Sequence, residues 1–96
     1  MKNTNTPDLV LLKQGAFFKV LRVNGKAGMT MPEHYSSQEA VIIAQRGSAV
    51  LKLEGKEYLL QKDEPFIIPA GKIHSLNLKE EFQAIVIMPL DSEIKF

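Results

Sequence analysis

Histidine is the side chain best suited to chemistry near neutral pH, and this sequence has two of them, His34 and His74. An imidazole with an ordinary pKa of about 6.5 can bind a metal ion, accept a hydrogen bond or transfer a proton. The chain has no cysteine, which excludes thiol nucleophiles, thiolate metal ligands and disulfides. Any site in this chain therefore depends on a short list of polar groups, with the two imidazoles first.

The hydroxyl residues do not form a catalytic constellation with these histidines. Ser36 lies two positions after His34, so on a strand both side chains would share one face and could form a local hydrogen bond. The sequence offers no carboxylate to orient the imidazole and no strand–turn–helix context for a nucleophile. The pair predicts a polar pocket lining rather than a hydrolytic site.

The elements that would position the histidines are short strands. Residues 49–54 alternate between apolar and polar types, and residues 73–78 do the same, with His74 on the apolar face. Gly55-Lys56 predicts a two-residue hairpin loop, where glycine supplies a positive φ. Short strands between regular turn signals predict an all-β antiparallel fold, and 96 residues are enough for a single domain.

Two other segments are less regular. The apolar residues of Leu9–Val23 fit the spacing of a helix face. However, Gly15 in its middle and the Phe and Val content favour two strands. Phe82–Met88 is apolar on both faces, which indicates a central strand or one covered by a partner subunit.

The segments 28–47 and 63–77 each carry one histidine, and a predicted hairpin separates them. In an antiparallel barrel, strands that are distant in the sequence can face each other across the interior. We therefore expect that His34 and His74 can converge.

These two segments resemble the paired signature motifs of the cupins, which are small jelly-roll barrels. Gly28, His34 and Gly47 fit the first motif, and the run Pro69-Ala70-Gly71-Lys72-Ile73-His74 fits the most specific part of the second. The resemblance covers residues 20–90. It implies one domain over residues 1–96, an antiparallel double-stranded β-helix in which residues 1–14 form a tail and a short strand.

The ligand positions that the resemblance implies are half filled. Metal-binding cupins use two histidines and a glutamate from the first motif and one histidine from the second. Here His34 and His74 stand at ligand positions, whereas Ser36 replaces the second histidine and Ala40 replaces the glutamate. Two imidazoles are a poor site for a divalent first-row metal, which usually takes three or more protein ligands.

A neighbouring carboxylate offers an alternative third ligand, giving His34/His74/Glu39 or His34/His74/Glu33. Strict alternation would point Glu39 outward if Ala40 points inward. A bulge at Ser36-Ser37 would reverse that direction.

We therefore expect a small-molecule-binding or sensory domain that uses no catalytic metal and no other cofactor. The predicted ligand-binding residues are His34, Tyr35, Ser36, Gln38 and His74. The alternative is a metal-dependent cupin enzyme of the dioxygenase, isomerase or decarboxylase type, with Zn, Ni, Fe or Mn bound by the histidines and a carboxylate. A third reading is an interaction module whose barrel is simply packed.

Charge and hydropathy limit the partners. The net charge is +1 and there is no basic block, so nucleic acid is not expected as a partner. The apolar run Leu9–Leu12 is too short for a signal peptide or a membrane span, which predicts a cytoplasmic protein. The apolar content of Leu9–Val23 and Phe82–Met88 exceeds what one small barrel can cover, which predicts a homodimer.

Overall fold

The computed structural model describes residues 5–96, so residues 1–4 of the polar segment expected as an N-terminal tail lie outside the described residues. The described chain is built from strands, as predicted. In chain order they are β1 (Asp8–Gln14), β2 (Phe18–Gly25), β3 (Thr30–Ser36), β4 (Ala40–Arg46), β5 (Ala49–Leu53), β6 (Lys56–Leu60), β7 (Pro65–Ile68), β8 (His74–Leu78), β9 (Phe82–Pro89) and β10 (Ile94–Lys95).

The strands form two five-stranded sheets. Sheet I has the order β1-β2-β9-β4-β7, and sheet II has the order β10-β3-β8-β5-β6. Neighbouring strands within each sheet pair antiparallel. This confirms the all-β jelly-roll prediction. Within the part of the chain that is described, no helix is long and apolar enough to span a membrane.

The two irregular segments are both explained by sheet I. Leu9–Val23 forms two paired strands rather than a helix, and Gly15 lies in the turn between them, where its N–H donates to the Phe18 carbonyl at 2.8 Å. The Phe82–Met88 segment belongs to β9, which lies between β2 and β4. Its apolar residues on both faces are therefore those of a central strand.

The core is the layer between the two sheets, where alternate residues of each strand point inward. Alternate residues of β3, β4, β5 and β8 are buried in this layer: Ser36, Ala40, Ile42, Ala44, Leu51, Leu53, Leu76 and Leu78. Phe82 and Ala84 add the matching inner positions of β9, and neither has any exposed surface. The period-2 pattern therefore gives the correct face for each of these strands.

The β5–β6 hairpin differs from the prediction by one residue. Leu53 pairs with Lys56, so Lys56 belongs to β6 and the loop residues are Glu54 and Gly55. Their φ angles are 51° and 77°. Two successive positive φ values are those of a type I′ turn, whose twist matches the flanking strands.

Gly47, between β4 and β5, is a second position that requires glycine. Its φ is 73°, and a Cβ placed there would collide with the backbone oxygen of Glu81. We expect Gly47→Ala to lower the free energy of unfolding by more than about 2 kcal/mol, because strained backbone and a backbone clash add together. Urea unfolding measures the loss.

Gly55→Ala is the matched control. Gly55 has a similar φ of 77°, but a Cβ there meets open space. Its loss should be limited to the backbone strain of about 1–2 kcal/mol. Equal losses for the two variants would contradict the role assigned to the Glu81 contact.

Candidate functional site

The structure brings the two histidines together. His34 on β3 and His74 on β8 are directly paired across adjacent antiparallel strands of sheet II. Their ring centroids are 4.2 Å apart and the ring planes make an angle of 63°, an edge-on contact. Both side chains are buried, with exposed fractions of 8% and 5%.

A bulge in β3 allows His34 to point inward. Met31 and His34 are three residues apart and both are buried, although strict alternation would place them on opposite faces. The pairing of β3 with β8 shifts register between these two residues. The additional residue of the bulge resets the alternation, so the inward face continues from His34 to Ser36. The bulge lies before His34 and not at Ser36-Ser37, where it would have turned Glu39 inward.

Each imidazole is oriented by the same local hydrogen bond. His34 Nδ1 lies 2.6 Å from the Pro32 carbonyl oxygen, and His74 Nδ1 lies 2.9 Å from the Lys72 carbonyl oxygen. A carbonyl can only accept, so Nδ1 carries the proton and donates in both rings. In the neutral imidazole Nε2 then carries the lone pair. Over residues 5–96, Nε2 has no hydrogen-bond partner in either ring, so the site presents two acceptors.

Burial keeps both rings neutral. It lowers the pKa of His34 and the pKa of His74 below the ordinary value of 6.5, because desolvation disfavours the charged form. The backbone carbonyls of Pro32 and Lys72 oppose this effect on the pKa, and the His74 charge lowers the pKa of His34 further. At neutral pH the pair therefore acts as hydrogen-bond acceptor or metal ligand rather than as a cation.

The histidines line a cavity of about 50 Å³ between the two sheets. Its polar lining residues are His34, Ser36 and His74, and the remaining ones are apolar: Leu9, Val23, Met31, Ala40, Ile42, Leu51, Ile68, Leu76, Val86, Met88 and Ile94. Ser36 is already engaged, since its hydroxyl donates to the Gln38 carbonyl at 2.9 Å. The cavity is thus an apolar space with two free acceptors in one wall.

The segment that contains β10 packs beside the histidine pair. β10 pairs with β3 at Ser36 and Tyr35, and Ile94 lines the cavity. The ring of Phe96 lies 4.8 Å from the His34 ring, centroid to centroid. The sequence prediction missed these two residues, because a two-residue strand has no periodicity to detect. Met88 and Val86 were also missed, although the alternation of β9 could have identified them.

The other predicted site residues lie apart from the cavity. Tyr35 is 37% exposed and neighbours Ser36 on the opposite face of β3. Gln38 donates to the Asp91 carboxylate at 2.7 Å. Glu33 and Glu39 are both exposed. Of the predicted ligand-binding residues, the structure therefore brings together His34, Ser36 and His74, and not Tyr35 or Gln38.

The residues present do not fit a divalent metal. Residues 5–96 contain no group of three or more His, Cys, Asp or Glu side chains that could hold a metal ion. Neither Glu39 nor Glu33 joins the histidine pair, because alternation carries their side chains outward. Two imidazoles fall short of the three or more protein ligands that such ions usually take.

Comparisons with known proteins agree with this architecture. The family model for the cupin domain matches residues 21–89. A cupin superfamily protein of Desulfitobacterium hafniense superposes with a TM-score of 0.80 at 20% identity, over 95% of this chain and 84% of that one. A Klebsiella pneumoniae protein with a double-stranded β-helix domain gives a TM-score of 0.82 at 14% identity, over 100% and 90%.

The DMSP lyase DddQ of Ruegeria pomeroyi gives a TM-score of 0.79 at 20% identity, over 90% of this chain and 48% of that one. The sequence matches no curated protein. At these identities the likeness to solved structures establishes the fold alone.

The lowered histidine pKa values predict an acid-sensitive fold. Each histidine has a lower pKa in the folded than in the unfolded state. It therefore contributes stability that is fully present above about pH 6.5 and is lost as pH falls through the folded-state pKa. The free energy of unfolding should therefore fall between pH 7.5 and pH 5.5, as measured by urea unfolding at each pH.

The double variant His34→Asn/His74→Asn is the control, since it keeps an amide donor near each carbonyl and removes the titrating groups. Its stability should change less over the same range, because no other side-chain type ordinarily titrates there. A histidine pKa above 6.5 in an NMR titration of the native protein would contradict the prediction.

Proposed function

The chain belongs to the cupin domain family, and we propose that it is a small-molecule-binding domain whose ligand donates hydrogen bonds to Nε2 of His34 and His74. The observation that carries this proposal is the fixed orientation of two neutral imidazoles in an apolar wall. Nε2 of neither ring is hydrogen-bonded to another described residue, and the wall around it is apolar, so a ligand O–H or N–H that reaches Nε2 forms a stronger hydrogen bond there than in water.

The cavity wall also limits the charge of the ligand. No lysine or arginine stands among the described residues that line it, so it holds no cation for a carboxylate or phosphate. Burial favours the neutral form of both histidines, which removes the other candidate cations. A neutral, mainly apolar ligand with one or two donor groups is the class that suits this lining.

The size of the cavity limits the ligand further. A volume of about 50 Å³ holds roughly two water molecules. A ring-sized ligand would need additional room on the side of Ile94 and Phe96, where a two-residue strand is the covering element. We therefore place the adjustable wall of the site at β10.

Phenol and toluene are a suitable pair of probes, because they share a ring and differ in one hydrogen-bond donor. We expect phenol to bind about fivefold more tightly than toluene, which corresponds to one hydrogen bond of about 1 kcal/mol. Chemical-shift titration of the two histidine rings measures both affinities.

His34→Phe and His74→Phe are the matched variants, since each keeps a ring and removes the acceptor. In each of them the preference for phenol should decrease. Equal affinities of the native protein for phenol and toluene, or the absence of any shift in the histidine rings, would refute the proposal.

A metal-dependent cupin enzyme is the second candidate function. The two Nδ1–carbonyl hydrogen bonds favour it, because metal-bound histidines commonly donate their second ring nitrogen to a backbone carbonyl. The DMSP lyase among the structural neighbours is an enzyme with a similar fold. The missing ligands weigh against this candidate, since Ser36 and Ala40 line the same cavity as the histidines and neither binds metal well.

Two substitutions should create the missing half of a metal site. The double variant Ser36→His/Ala40→Glu should bind about one Zn²⁺ per chain, with a rise in melting temperature on adding the metal. The native protein should show well under one Zn²⁺ per chain in the same titration. Stoichiometric metal in the native protein after metal-replete expression would instead support the enzyme candidate.

A further inference from the structure

Two further residues of the cavity wall carry sulfur. Met31 and Met88 line the same space as His34 and His74, and both are buried, with exposed fractions of 5% and 2%. A thioether is a soft, polarisable ligand, and a neutral imidazole binds many transition-metal ions. The described residues that line the cavity therefore offer four uncharged nitrogen and sulfur donors, and no carboxylate stands among them.

The strand register places one of these methionines beside the imidazoles. His34 pairs with His74, and Met31 pairs with Leu76, so Met31 occupies the neighbouring inward row of sheet II. Rows two residues apart are separated by roughly 7 Å along a strand. The unbranched side chain of Met31 has three rotatable bonds, so its sulfur can turn toward the imidazoles.

The other methionine lies on the opposite sheet. Met88 belongs to β9 in sheet I and follows the pair Val41–Ile87. The same register places it beside Ala40, a small residue that also lines the cavity and leaves room for the longer Met88 side chain. Packed sheets lie about 10 Å apart. An ion between them can therefore bind imidazoles from one side and a thioether from the other.

We propose that this cavity binds one Cu(I) ion, held by Nε2 of the two histidines and by the sulfur atoms of Met31 and Met88. Like the proposed function, this inference rests on the two free Nε2 atoms, and it adds the two thioethers. The donors select the metal, because thioether ligands favour Cu(I) whereas carboxylates suit Mg²⁺, Ca²⁺ and Mn²⁺. Since copper and a small molecule would use the same nitrogens, each excludes the other.

The charge of Cu(I) also suits this lining. Transfer of an ion from water into an apolar space costs a free energy that grows with the square of its charge. A divalent ion would bring two positive charges beside a lining without a carboxylate, whereas Cu(I) brings one. A volume of about 50 Å³ admits one ion but not its shell of water molecules, each of which takes about 30 Å³, so the protein donors replace that shell.

Competition with bicinchoninate, a chelator that is coloured when it holds Cu(I), tests the proposal. The titration is carried out without oxygen and with ascorbate, and the native protein should take about one Cu(I) per chain from the chelator. Met31→Leu and Met88→Leu conserve side-chain volume and remove the sulfur. Each should lower the Cu(I) affinity at least about tenfold, since the loss of a residue that only orients a metal ligand already costs about 10- to 100-fold.

Met29→Leu is the matched control. Met29 is half-buried and lines a separate surface pocket, where its sulfur accepts a hydrogen bond from the Lys26 N–H at 3.3 Å. Its substitution should leave the Cu(I) affinity unchanged. Equal affinities of the three leucine variants would overturn the assignment of the sulfur ligands. A native protein that takes no Cu(I) from the chelator would overturn the whole proposal.

X-ray absorption at the copper edge gives a measurement that needs no variant. Sulfur is expected among the nearest neighbours of copper in the loaded native protein, and nitrogen neighbours alone would overturn the assignment. Phenol binding is judged separately, because Met31→Leu and Met88→Leu retain both imidazoles and should keep the native preference for phenol over toluene. Failure of Cu(I) binding is therefore distinguishable from failure of the proposed function.

Discussion

The antiparallel pairing of β3 with β8 is the constraint from which the site follows. It places His34 opposite His74, and the bulge after Met31 turns His34 toward the same interior as its partner. Without the bulge, alternation would put the imidazole of His34 on the outer face of sheet II, where burial would not lower its pKa. The burial of His34, its contact with the His74 ring and its place in the cavity wall all depend on this one local irregularity.

The packing of the two inner faces explains why a cavity exists beside the pair. Small side chains occupy several inner positions of sheet I, among them Ala40, Ala44 and Ala84. Ala44 and Ala84 belong to the packed core and do not line the cavity, whereas Ala40 lines it together with the two histidines. A short side chain at Ala40 therefore leaves the space that a longer one would fill, and the same residue removes a carboxylate that could have held a metal.

The sequence allowed the strands, their faces and the inward direction of His74 to be predicted, because these depend on a period of two within short segments. It also allowed two strands to be preferred to a helix over Leu9–Val23, because Gly15 disfavours a helix interior. The bulge after Met31, the Glu54-Gly55 loop and the contact of Phe96 with His34 could not be predicted in this way. Each depends on register or on a long-range contact that no local pattern encodes.

Tyr35 and Gln38 illustrate the same limit at the site. Proximity to His34 in the sequence made them reasonable ligand-binding residues, but a strand shows each face only every second residue. Tyr35 consequently points away from the cavity, and Gln38 lies beyond the end of β3, where its amide binds Asp91. Residues from distant strands, such as Met88 and Ile94, line the cavity instead of these sequence neighbours of His34.

Strand β9 links the cavity to the outer face of sheet I. Its inward residues Val86 and Met88 line the cavity, while the outward residues Ile85 and Ile87 pair with Ile43 and Val41 of β4. The core covers the inner face, and β2 and β4 flank the strand on its two edges. The central place of β9 in sheet I, together with the apolar cavity on its inner side, explains why its sequence shows no polar face.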